Sequence, residues 1–166
     1  MKPKPQDPTE QSLWRPLRLL LDAMDTEIAA LYDEAGVEGM KPSYVMELLR
    51  LHHHRGPMTI TELASSVQRT HSAMSQKVAG MRAAGLVRTM PGPDARTRTV
   101  VLTAKAKRLV EALAAEWRAT EAAVRDIESE IPYPLSRVVT DIQAALDRKS
   151  LHDRIVEKLA EDAAWR

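Results

Sequence analysis

The stretch "TITELASSVQRTHSAMSQKVAGMRAAGLVRTMPGPDARTRTVVLT", residues 59–103, changes its hydrophobic period once, and that change decides the fold. Up to Gly85 the apolar residues recur at helical steps. Thr59 followed by Glu62 is a capping box, in which hydroxyl and carboxylate reciprocally satisfy free backbone N–H groups. It predicts a short helix over residues 60–67, with Leu63, Ala64 and Val67 turned inward. After residues 68–70 a second helix opens, with Met74, Val78 and Met81 on its inner face, and Gly85 suits a left-handed helix end. Beyond Gly85 the period changes from helical to alternating: "LVRTM" and "RTVVL" read as two strands around the loop "PGPDART". Two short helices joined by a tight turn and followed by a hairpin make a winged helix-turn-helix.

Outward from this core the chain reads as helix. Residues 1–8 are expected to form a disordered leader, and Leu13, Leu17, Leu20, Met24, Ile28 and Leu31 predict a long amphipathic helix over residues 9–33. A second helix starts at Pro42 and stops at Gly56-Pro57, with Val45, Leu48 and Leu49 on one face and His52 a candidate for the same face. Thr103 caps a long helix carrying Leu109, Leu113, Trp117, Val124 and Ile127, which "IPYP" (residues 131–134) interrupts. A last helix is predicted over residues 135–160, with Leu135, Val138, Ile142, Leu146, Leu151, Ile155 and Leu159 on its apolar side. The fold class is mainly α with a small β-hairpin wing: a winged helix-turn-helix region (42–103) flanked by long dimerisation helices (9–41 and 104–166). Those helices carry more apolar stripe than the central module covers, so they are expected to pack on a second copy of the chain as a homodimer. An intramolecular bundle is the alternative.

Composition narrows the chemistry. Phe is absent and the aromatics are three Trp and three Tyr, so the core must be Leu, Ala, Val, Met and Ile, which suits packed helices. With no Cys there is no disulfide and no thiolate metal site. No apolar run approaches the roughly 18 residues of a membrane span, so the expectation is a soluble cytoplasmic protein. The formal charge of +1 hides a strong asymmetry. Residues 69–108 hold nine Lys or Arg and a single acid, Asp94, a net +8, while residues 1–40 and 109–166 are each −4. Such a basic middle attracts a polyanion, and the acidic ends limit which face can dock.

On the second short helix the inner face of Met74, Val78 and Met81 leaves Thr70, His71, Ser72, Ser75, Gln76 and Lys77 near the outward N-terminal half. Short hydroxyls and an amide there can reach base edges in a major groove of double-stranded DNA, and Gln can pair bidentately with adenine. Thr70 or Ser72 also serves as the helix cap, and both roles are compatible. In the hairpin tip Asp94 stands two residues from Arg96, so the carboxylate can brace a guanidinium that suits a narrow minor groove. Arg98 can reach the same groove or a phosphate.

These residues carry a resemblance. The stretch "GPMTITELASSVQRTHSAMSQKVAGMRAAGLVRTMPGPDARTRTVVLT", residues 56–103, resembles the winged-helix core of the MarR family of bacterial transcription regulators, through the capping region, both helices, "AAGLV" and the D-x-R wing ending in "LT". The resemblance implies that residues 70–77 begin the recognition helix, that Arg96 enters the minor groove and that Asp94 braces it. Where the family often has a glycine shortly after "LT", this chain has Ala106. The implied function is a homodimeric, ligand-responsive transcription regulator on an inverted-repeat operator, a repressor in the first reading, with activation left open.

Other signals are weaker. "LHHHR", residues 51–55, invites a metal reading, but adjacent histidines on a helix lie about 100° apart. One of His52, His53 and His54 is expected to be buried and two exposed. Tyr32, Tyr44 and Met46, with Met24 and Trp14, are candidates to line a small-molecule effector cleft, although an apolar stripe at helical spacing is first of all a core. No nucleophile, paired carboxylates or phosphate loop stands out, so no enzyme activity and no cofactor are expected. The competing readings are a protein-interaction dimer that does not read DNA and a metal-dependent sensor using His52, His53 and His54.

Overall fold

In the computed structural model, which describes residues 7–92 and 97–165, the change of period at Gly85 is the junction of helix and sheet. The chain divides into two units, Met1–Ala115 and Glu116–Arg166, with the boundary inside one long helix. The first unit contains α1 (Arg15–Glu34), α2 (Pro42–His54), β1 (Met58–Thr59), α3 (Ile60–Ser66), α4 (His71–Ala83), β2 (Val87–Pro91), β3 (Arg98–Leu102) and the start of α5 (Ala104–Glu130). The second holds the remainder of α5, α6 (Leu135–Arg148), α7 (Leu151–Ala160) and a short 3-10 turn, Ala163–Trp165.

The central module forms for local reasons visible in its bonds. Thr59 Oγ1 accepts from the Glu62 N–H at 3.1 Å while Glu62 Oε2 accepts from the Thr59 N–H at 2.7 Å, completing the capping box. The bonds from Thr59 hold the Glu62 carboxyl below the usual carboxylate range. Their contribution is therefore present above the unfolded pKa and lost as pH falls through the folded one. Thr70 caps α4 by accepting from the Ala73 N–H at 3.3 Å. At the other end Gly85 has φ of 70°, its N–H donates to Arg82 O and the Leu86 N–H donates to Met81 O. This pairing is a Schellman motif, and its apolar partners Met81 and Leu86 are both fully buried.

The hairpin keeps the expected strands, with Val87 opposite Leu102 and Pro91 opposite Arg98, and the Gly92 N–H donates to Thr97 O at 2.9 Å. Val87, Val100 and Leu102 face the core. One strand was not expected: β1 pairs Met58 with Val100 and Thr59 with Thr99, so β3 is the middle of a three-stranded antiparallel sheet. Leu48, Leu63, Met74, Met81 and Leu86 are the largest apolar side chains that are completely buried.

The flanking helices depart from expectation in two places. The predicted helix over residues 9–33 begins at Arg15 instead, after a 3-10 turn, Pro8–Gln11, whose Thr9 N–H donates to Asp7. Pro16 is the reason, since its ring lacks an N–H and would clash with the carbonyl four residues earlier. The predicted last helix is two helices. Lys149 is extended, Ser150 accepts from the Asp153 N–H at 3.0 Å to start α7, and Arg154 donates to Ala145 O and Lys149 O across the break. Glu128 ties α5 to α6 by accepting from the Ser136 N–H and hydroxyl, which hold its carboxyl below the usual range. No described residue of the second unit is buried within the chain.

Because no heavy atom lies within 4 Å of a Cβ built on Gly85, Gly85→Ala meets only the conformational penalty of the left-handed region, about 1 kcal/mol. Thermal unfolding followed by circular dichroism should show a drop of several degrees with the native spectrum retained.

Candidate nucleic-acid interface

The turn between α3 and α4 aims the second helix outward. Gln68 takes a left-handed φ of 53°, the Arg69 N–H donates to Ala64 O at 2.9 Å, and α4 starts immediately afterwards. With Met74, Val78 and Met81 buried, Thr70, His71, Ser72, Ser75 and Gln76 are all exposed, together with Arg69 before the helix and Arg82 near its end. Ser75 and Arg82 are seven residues apart and so share one strip of the helix. There is no acidic side chain on α4. Arg98 is exposed at the first position of β3. Asp94 and Arg96, expected to serve as wing brace and minor-groove arginine, lie outside the described residues.

Lys77 stands apart from this exposed set. Its ammonium turns toward α2, 2.7 Å from Glu47 Oε1 and 2.8 Å from the carbonyl oxygen of Ser43. Lys105 is also used internally, donating to Glu38 O at 2.9 Å and Ala84 O at 3.2 Å. Two of the nine cations that make the middle of the chain basic are therefore structural. Nothing local signals this, because the partners lie 30 and 67 residues away.

Of the proposed cleft residues, Met46 is set apart from the two tyrosines. Tyr32 and Tyr44 are buried while Met46 is exposed, and residues two apart on a helix point about 200° apart, so Met46 looks away from Tyr44. Tyr44 instead packs on α4, where a Cβ on Gly80 would sit 2.5 Å from its hydroxyl. A groove of about 560 Å³ opens elsewhere, at the foot of the wing. Leu51, Pro57, Met90, Val101 and Leu102 give it an apolar lining, and His52, Arg55, Arg88 and Lys107 add a basic one. The sequence did not reveal it, since its walls come from α2, β2, β3 and α5.

His52, His53 and His54 are all exposed, correcting the expectation that one of them is buried; Glu47 and Leu51 take the inward positions of α2 instead. The His52 and His53 rings meet edge to face at 5.7 Å. Among the described residues no three His, Asp or Glu side chains converge as metal ligands. None of the described helices is long and apolar enough to cross a membrane.

No protein-family model and no curated protein matches the sequence. Solved structures do. The chain is similar to the Mycobacterium tuberculosis transcriptional regulator MosR in complex with DNA, at 21% identity and a TM-score of 0.60 over 84% of this chain and 99% of that one. It is similar to the Staphylococcus aureus MepR–DNA complex at 16% identity and a TM-score of 0.61, covering 82% and 97%. AbsC, a MarR family transcriptional regulator from Streptomyces coelicolor, matches at 22% identity and a TM-score of 0.54 over 96% and 99%. The fold is thus a winged helix of the MarR type, running through the flanking helices as well as the central module.

The close approach of Tyr44 and Gly80 gives a direct test of how α4 is seated. Gly80→Ala should lose about 1 kcal/mol, overpacking outweighing the gain in helix propensity. In a Tyr44→Phe background the nearest atom recedes to the ring carbon at 3.4 Å, so the same substitution should become neutral or stabilising in denaturant titrations.

Proposed function

We propose that the protein is a sequence-specific DNA-binding transcription regulator, a homodimeric repressor that binds an inverted repeat. The observation that carries this reading is the exposed, acid-free face of α4, with Ser72, Ser75 and Gln76 beside Arg69 and Arg82, on a winged-helix module. Two structural neighbours are DNA complexes, which supports the same use of the fold here. In this reading Gln76 and the hydroxyls read base edges, while Arg69, Arg98 and Arg96 meet phosphates or the minor groove. The dimer is supported by apolar side chains that the single chain leaves exposed, among them Leu20 and Leu31 on α1 and Val139, Leu151 and Ile155 on α6 and α7.

Fluorescence anisotropy across a salt series, on the upstream duplex of its own gene and on a scrambled one, tests the reading. Specific binding should exceed non-specific binding by roughly 10³-fold or more and fall steeply with salt. Gln76→Ala should lower specific affinity about tenfold at unchanged salt slope, whereas Arg96→Ala should weaken both duplexes and flatten the slope by about 0.9. Absence of binding to either duplex at low salt would favour the protein-interaction dimer.

The effector, in this reading, occupies the groove at the foot of the wing rather than a site at Tyr32, Tyr44 and Met46. An apolar lining with three permanent cations and no acid suits an apolar-bodied anion. Calorimetric titration with 2-naphthoate should detect binding that Arg88→Ala weakens about tenfold, and equal binding by the variant would move the site elsewhere.

A further inference from the structure

Glu47 is the one charged residue in the core of the described structure, only 1% exposed. One of its oxygens meets Lys77 Nζ at 2.7 Å, and the other, Oε2, is buried without a hydrogen-bond partner. A half-satisfied buried carboxylate is poor material for stability, because desolvation offsets most of the Coulombic gain and packed apolar residues of similar volume usually do as well or better. What the pair supplies is direction. It also has a companion one helical turn away: Tyr44 and Glu47 are three residues apart on α2, and Gly80 and Lys77 are three apart on α4. Tyr44 meets Gly80 and Glu47 meets Lys77, so two rungs of opposite sense join the helices. The first opposes slide through steric contact, and the second opposes rotation because turning α4 would draw Lys77 away from Glu47 and leave a buried carboxylate unpaired. The rest of the seat is Met74, Val78 and Met81, and methionine fills space without enforcing one orientation.

We propose that Glu47 and Lys77 are positioning residues for DNA recognition: the buried pair sets the rotation of α4 about its own axis and hence which base edges Ser72, Ser75 and Gln76 can reach. The inference rests on the DNA-binding reading above. A helix with side chains is 10–12 Å across, so a rotation of about 20° carries the tips of its outer side chains roughly 2 Å, enough to break a base contact. Lys77 does this from the inside, touching neither base nor phosphate, and so contributes nothing to the salt dependence of binding.

The test compares wild type, Glu47→Gln and the double variant Glu47→Met with Lys77→Met. Each is measured on the duplex that wild type enriches from a random pool and on a scrambled duplex, across a salt series, with thermal unfolding alongside. The double variant should unfold at or above the wild-type temperature, yet its ratio of specific to non-specific affinity should fall at least tenfold with the salt slope unchanged. Glu47→Gln, which keeps the shape of the side chain, should lower the ratio in the same direction and carries the test if the double variant does not fold. A wild-type ratio in a folded double variant would overturn the proposal and leave the pair a packing feature. A slope flatter by about 0.9 in the double variant would also overturn it, because Lys77 would then be reaching a phosphate. If wild type enriches no sequence at all, the DNA-binding reading itself has failed, and that is seen before any variant is compared.

Discussion

Everything in the central module hangs on the backbone between Ala84 and Leu86. Gly85 turns the chain out of α4 in the left-handed region, and the two carbonyls that follow are taken at once by Thr103: its hydroxyl donates to Gly85 O at 2.7 Å and its N–H to Leu86 O at 3.0 Å. The same hydroxyl accepts from the Ala106 N–H and so starts α5. Lys105 adds the Ala84 carbonyl and the loop at Glu38. The end of α4, both strands of the hairpin, the start of α5 and the connection from α1 to α2 are thereby tied at one point. The bonds to Leu86 O and Ala84 O and from the Ala106 N–H are part-buried, where an unpaired polar group would be costly.

The electrostatics follow from the same economy. A basic segment of forty residues looks like one continuous charged surface, but Lys77 and Lys105 are spent on internal carbonyls and a buried carboxylate. The outward field comes from Arg69, Arg82, Arg88, Arg98, Lys107 and Arg108, all exposed. Some of these face α4's outer strip, and Arg88 and Lys107 face the groove. One run of charge therefore serves two surfaces, one suited to a polyanion and one to a small anion.

What the sequence disclosed depended on the range of the interaction concerned. The capping box at Thr59, the stop at Gly85 and the two strands of the hairpin were legible because each is written within a few residues. β1 was not, since two residues cannot display alternation. The break between α6 and α7 was hidden because Leu146, Leu151 and Ile155 continue the apolar stripe across it, leaving only the cap of Ser150 on Asp153 as a trace. On α4 the outward placement of Ser72, Ser75 and Gln76 followed from the buried face, whereas the inward turn of Lys77 required knowing that Glu47 is opposite. The groove needed four elements to meet. Helix period cannot predict side-chain partners distant in sequence, which is why the inward turn of Lys77 was missed; that Met46 looks away from Tyr44 is, by contrast, what the helix period itself dictates.

The division of labour on α4 has a further consequence. Met74, Lys77, Val78, Gly80 and Met81 hold the helix in the module, while Ser72, Ser75, Gln76, Ala79 and Ala83 are exposed. Residues on the second strip can be exchanged without opening the core, since exposed helical positions tolerate most side chains within a fraction of a kcal/mol. The helix is therefore a variable face on a fixed mount. In the proposed DNA-binding role, new sequence preferences are open to it by changes on that face alone, and drift there leaves the architecture intact.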